Sequence, residues 1–205
     1  MTDRVELAAA VLLAVAAVAT AWSSYQATRW NGEQTKASSR TNAIRIEAAR
    51  AQGLGEAQRE VDVATFTQWV NAYARKEALL VDFYFKRFRE EFKPAVSAWL
   101  AERPLRNPNA QLTPFAMPQY RLAAEADAER LDAEAEASAA EVRRDIQRAS
   151  NYVLAVVLFA VSLFFAGMST KLRSPRLRAM VVAVGWAVFA GTVIWVATFP
   201  VSLAV

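Results

Sequence analysis

Two uncharged apolar runs close the sequence, 17 residues at 152–168 and 20 at 180–199, with a basic stretch at 171–178 between them. At about 1.5 Å per helical residue, each run approaches or matches the ~30 Å hydrocarbon core of a bilayer. Inside that layer no water is present to bond backbone N–H and C=O groups, so such runs are expected as helices. The pair therefore reads as a transmembrane hairpin. Its connecting loop is short, and Lys171, Arg173, Arg176 and Arg178 have no acidic neighbour there. Basic residues in short loops stay on the cytoplasmic side, which sets the expected orientation.

A third apolar run, residues 7–22, follows Asp3, Arg4 and Glu6. It imitates a secretory signal ending at Ala19-Thr20-Ala21, but Asp3 and Glu6 offset the one basic residue that such a signal would need. An uncleaved first span over about residues 5–25 is the expectation. With three spans the N-terminus is cytoplasmic and the segment between spans one and two is periplasmic. Arg29 and Lys36, and Arg143, Arg144 and Arg148, flank that segment and pull the other way. Long inserts translocate largely regardless of their charge, so the short loop decides. Trp22, Tyr25, Trp30 and Tyr152 suit the headgroup level, where amphipathic rings settle.

The spans carry no ionisable side chain in their cores, which argues against proton relays and coupled transport. They are rich in small residues instead. Ala10, Ala14 and Ala17 in the first span, and Ala183, Ala187 and Gly191 in the third, suit close helix packing within one chain or between copies. A pore would have to be oligomeric, lined by Thr20, Ser23, Ser162 or Thr192.

Residues 26–150 carry 19 Lys+Arg against 18 Asp+Glu, so the insert is nearly neutral and lacks a nucleic-acid footprint. No proline occurs before Pro94, and the first helix is expected to run out of the bilayer to about Gln52, where Gly53-Leu54-Gly55 interrupts it. Trp30, Ala37, Ile44, Ala48 and Ala51 form a thin stripe at heptad-like spacing. The polar set that includes Ser23, Ser24, Gln26, Thr28 and Asn31 reads as a solvated surface, with a pore vestibule as the sharper alternative. A second helical pattern, 56–93, holds Phe66, Trp69 and Tyr73 on one face and Phe85, Phe88 and Phe92 on another, which predicts an aromatic core in preference to a ligand pocket. Prolines 104, 108, 114 and 118 mark a loop, and a final helix from Gln119 is expected to enter the membrane without a break.

Histidine and cysteine are absent, which removes the commonest general base, thiolate nucleophiles and thiolate metal sites. Glycine-rich phosphate loops are missing too, because Gly53-Leu54-Gly55 lacks the Lys-Ser/Thr that should follow. Glu90-Glu91 lies between Arg89 and Lys93, as on an exposed helix surface. No enzyme, cofactor or metal is expected.

Three short strings, Phe115-Ala116-Met117-Pro118-Gln119-Tyr120, Asn151-Tyr152-Val153-Leu154-Ala155 and Leu163-Phe164-Phe165-Ala166-Gly167, together with the layout, resemble a group of uncharacterised bacterial membrane proteins. The resemblance implies one span, a helical insert and a terminal span pair in the bacterial inner membrane. It assigns no functional residue.

The expected fold is thus an all-α membrane protein, with a transmembrane helix at 1–25, a long coiled-coil-like helical insert at 26–150 and a transmembrane hairpin at 151–205. Thin seams and small-residue ridges imply a lipid-anchored structural or interaction protein that forms a homo-oligomer and presents its stalk to an envelope protein. The alternative is a subunit of an oligomeric channel.

Overall fold

The computed structural model describes residues 2–202, with side chains from 4 to 202, so the Asp3 carboxylate lies outside the described side chains. Among the described residues all regular structure is helical. Helix α1 (Thr2–Ala74) is followed by two short helices, α2 (Ala78–Arg87) and α3 (Lys93–Ala101). A 3-10 turn (Pro114–Ala116) precedes α4 (Ala123–Ser169) and α5 (Pro175–Val196). Helices α1, α4 and α5 are each long and apolar enough to cross a membrane. The chain divides into two compact units, Met1–Arg40 with Ala137–Val205, and Thr41–Glu136. Residues 26–40 and 137–150, read from sequence as insert, thus group with the apolar helices.

Helix α1 has 73 residues and passes through Gly53-Leu54-Gly55 without the expected break. A glycine costs about 1 kcal/mol in a helix interior, and at Gly55 close packing offsets it. A Cβ built there would stand 2.8 Å from Glu125 Cγ and 3.8 Å from Ala124 Cβ. The ion pairs Arg45–Glu136 (3.6 Å) and Arg59–Glu125 (2.6 Å) run in opposite sequence order, so α1 and α4 are antiparallel in this unit. Thr41, Ile44 and Ala48 on α1, and Ala124, Ala128 and Ala135 on α4, are buried in the unit.

The helix expected over 56–93 instead stops at Ala74 and resumes as α2. Lys76 turns into the left-handed region, with φ 59°. The Glu77 N–H then donates to the Ala72 carbonyl (3.0 Å) and the Lys76 N–H to the Tyr73 carbonyl (3.1 Å). These are the paired bonds of a Schellman ending, with lysine where glycine is usual. Helix α3 ends in a related way at Arg103 (φ 54°), whose N–H donates to the Leu100 carbonyl at 3.0 Å. The second bond is missing because Pro104 has no N–H.

In the unit holding the apolar stretches, Ala9, Leu12 and Ala16 of α1, Ala155, Phe159 and Ala166 of α4, and Val182 and Gly185 of α5 are buried. Gly185 marks the closest approach. A Cβ there would come 2.9 Å from Leu12 Cδ2 and 3.2 Å from Phe165 Cβ, so any larger residue must push both side chains aside. The tail after α5 is stitched back as well: the Ser202 N–H donates to Gln26 Oε1 (3.0 Å), and Tyr152 Oη donates to the Pro200 carbonyl (3.1 Å).

Gly185→Leu is expected to lower the thermal midpoint of the detergent-solubilised chain, because the added side chain must displace Leu12 and Phe165. Gly167→Leu is the control, since nothing lies within 4 Å of its Cβ position. Equal midpoints for the two variants in a circular-dichroism melt would contradict this account of the bundle.

Candidate functional site

Within Thr41–Glu136 the core is built from rings. Phe66 and Trp69 come from α1, Phe88 and Phe92 from the α2–α3 joint, Phe115 from the end of the proline-rich loop and Tyr120 from just after it. Phe92 stacks on Phe115 at 5.1 Å and meets Phe88 edge-on at 5.0 Å. Phe66 stacks on Trp69 at 5.9 Å. All three spacings fall in the favourable range for aromatic pairs. Helical spacing places the first pair, since Phe66 and Trp69 are three apart on one face of α1, whereas Phe88 and Phe92 flank the break between α2 and α3. The end of the expected proline loop belongs to this core, since Pro114 and Met117 are buried. The remainder is tied to α3, with Trp99 Nε1 donating to the Gln111 carbonyl at 2.7 Å.

One side of the ring cluster opens into an apolar cleft of 910 Å³. The end of α1, the length of α2 and Leu100 and Leu105 wall it, and Trp69, Tyr73 and Phe85 supply its rings. A second cavity of 390 Å³ shares Trp69, Val70, Tyr73, Leu100 and Leu105 and adds Arg103 and Arg106. Nearby, Leu79, Leu105 and Leu112 are 89%, 79% and 93% exposed, so this end of the unit leaves large apolar side chains uncovered.

Behind the rings sits a buried ionic network. Asp62 is fully buried, and its Oδ2 accepts from Arg89 Nη1 (3.0 Å) and Tyr120 Oη (3.2 Å). Arg89 also pairs with Glu91, whose Oε1 accepts from the Ala123 N–H at the start of α4 (3.2 Å). The network ties α1, the α2–α3 joint and α4 together around the rings. Burial raises the Asp62 carboxyl above the ordinary aspartate range, with Arg89 opposing. Burial and then the Asp62 charge push the Tyr120 phenol up to about 12. Fully buried and bonded to Arg89 and Tyr120, the carboxylate holds α1 against the α2–α3 joint and the segment before α4. Among the described residues no three acidic side chains gather closely enough to hold a metal ion.

The residues singled out from sequence lie in the other unit. Ala10, Ala14, Ala17, Ala183, Ala187 and Gly191 all face outward, while Ala9, Leu12, Ala16, Val182 and Gly185 make the intrachain contacts. Ser23, Ser162 and Thr192 are buried, and the hydroxyls of Thr20, Ser162 and Thr192 donate to carbonyls of their own helices at 2.7, 3.2 and 2.8 Å. The polar set after Trp22 is split around the helix, with Ser23 and Gln26 buried and Ser24, Thr28 and Asn31 exposed. Trp22 and Tyr25 are exposed, whereas Trp30 and Tyr152 pack together with Ala27 and Ala149. Lys171, Arg173 and Arg176 are exposed, and Arg178 pairs with Glu6 at 2.7 Å. Sequence reading missed Asp62, although a carboxylate four residues before Phe66 on the same aromatic face is a signal of a buried partner. It also read Glu91 as surface; Glu90 is, but Glu91 is half-buried and bonded.

Replacing Arg89 by Met should destabilise this unit by about 3 kcal/mol, since it strands a buried carboxylate. Asp62→Asn in that background should restore part of the loss in a denaturant melt. Stability contributed by Tyr120 is fully present below its ordinary 10.0 and lost as pH rises toward about 12. Near-ultraviolet titration should therefore show a late-ionising tyrosine component that Tyr120→Phe diminishes.

Comparison of the chain with family models, curated proteins and solved structures gives no match.

Proposed function

We propose that the chain is an integral membrane anchor of the bacterial inner membrane, akin to the group its short strings resemble, that assembles with copies of itself and holds a helical unit for an envelope partner. One observation carries the reading: the six small residues of the two ridges are outward on the single chain, while other residues make its internal seams. Lipid tails solvate leucine as well as any protein surface does, so a stripe of Ala and Gly on an outer face gains by letting a second backbone approach. The three apolar helices supply the spans. The antiparallel small-residue seam of α1 and α4 in Thr41–Glu136 favours a coiled-coil-like stalk.

The loop between α4 and α5 carries Lys171 and Arg173, and α5 begins with Arg176 and Arg178 in its first turn. Cations at a helix start oppose the helix dipole, and the Glu6 pair relieves this at Arg178. Charge asymmetry in so short a connection favours a cytoplasmic position for it and a periplasmic one for Thr41–Glu136. A channel is the weaker reading, because Ser162 and Thr192, two of the hydroxyls offered for a pore, are buried and bonded to their own helices.

The chain has no native cysteine, so single cysteines report cleanly. Cysteine at Ala14 or Ala187 should give disulfide-linked dimers in membranes, and at Val15 it should not. Absence of dimers at both ridge positions would end the assembly reading. Cysteine at Asn109 should react with an impermeant maleimide on intact cells while cysteine at Ser174 does not; the reverse pattern inverts the orientation.

A further inference from the structure

The cleft in Thr41–Glu136 has the composition of a site for an amphiphile. Its walls are Trp69, Val70, Tyr73, Val81, Phe85 and Leu100, and its volume of 910 Å³ lies in the range of roughly 300–1,000 Å³ typical of small-ligand sites. A peptide would bring backbone amides that these walls cannot bond, at a desolvation cost for each. An acyl chain brings none.

Cations outnumber carboxylates along the cleft and the cavity beside it. Lys76 lines the larger cavity, and Arg103 and Arg106 line the smaller one that shares its walls. Asp82 is the single acidic lining residue, and Lys86 pairs with it at 2.6 Å. Lys76 and Arg103 are also the two non-glycine residues with left-handed backbone among those described. Each ends the helix that forms a wall of the cleft, so the turn that closes the wall carries the charge. Guanidinium and ammonium groups there suit a carboxylate or phosphate head.

We propose that this cleft binds one long acyl chain bearing an anionic head group. The chain occupies the space beside Trp69 and Phe85, and the head pairs with Lys76, Arg103 and Arg106. A free fatty acid and an anionic bilayer phospholipid share this chemistry. Recognition of the free acid does not require the membrane reading above, whereas recognition of the bilayer lipid does.

The test uses the full chain in phosphatidylcholine nanodiscs with photoactivatable palmitate, phosphatidylglycerol or hexadecanol, and maps adducts by peptide mass spectrometry. Adducts within residues 69–105 are expected from palmitate, phosphatidylglycerol or both, exceeding those from hexadecanol by about tenfold. Palmitate alone identifies a free acid as the ligand, and phosphatidylglycerol a bilayer lipid. Lys76→Gln with Arg103→Gln should reduce the cleft adducts to the hexadecanol level, while Asp82→Asn leaves them or raises them. Unchanged melting of both variants shows that the loss is not unfolding. Equal labelling by hexadecanol, no cleft adduct with any probe, or cross-linking of the cleft to a second copy of this chain would overturn the proposal. Adducts in the three apolar stretches report membrane insertion separately, so a failed cleft and a failed membrane reading give different maps.

Discussion

Close backbone approach over alanine and glycine is the constraint on which both units depend. Ala9, Ala16, Ala155, Ala166 and Gly185 in one unit, and Ala48, Gly55, Ala124, Ala128 and Ala135 in the other, are buried at helix contacts. Small side chains remove little apolar area from water, on the order of 25 cal/mol per Å². Their contribution is proximity: backbones that come close gain dispersion along their whole length. Added bulk at the tightest points must displace a neighbour, because a Cβ at Gly185 or Gly55 would meet a side-chain atom under 3 Å away.

Where seams are shallow, larger groups must fix register. In Thr41–Glu136 that task falls to the rings around Phe92 and to Asp62, Arg89 and Glu91 behind them. The buried carboxylate is costly alone, yet with Arg89 and Tyr120 on one oxygen it accepts only one arrangement of three elements. In the unit with the apolar stretches, Tyr152 and Gln26 have the comparable role, each holding a backbone group of the tail after α5.

The all-helical fold was legible from periodicity, the delayed first proline and the three apolar runs. Helix ends were less so. Gly53-Leu54-Gly55 carries the local signature of a break, but its context on α4 reverses it, and no local rule sees Glu125 across the gap. The stop at Ala74 was invisible for the opposite reason: lysine at a left-handed position has no sequence mark, since glycine is the residue that advertises such a turn. Rings at helical spacing announced a core. Its open flank did not announce itself, because a cleft is a property of how α2 and α3 leave α1, not of any one stripe. Polar residues near a span invited a pore reading, and only packing distinguishes a buried Ser23 from an exposed Ser24.

The Gln26 side chain pairs with the backbone of Ser202, 176 positions later. All of Thr41–Glu136 and both later apolar helices lie between the two in sequence, so this pairing is a contact that no local folding step can make. Closure of that unit therefore waits on α4 and α5 both being in place, and the polar side chain in the middle of α1 acts as a latch on the segment that follows α5.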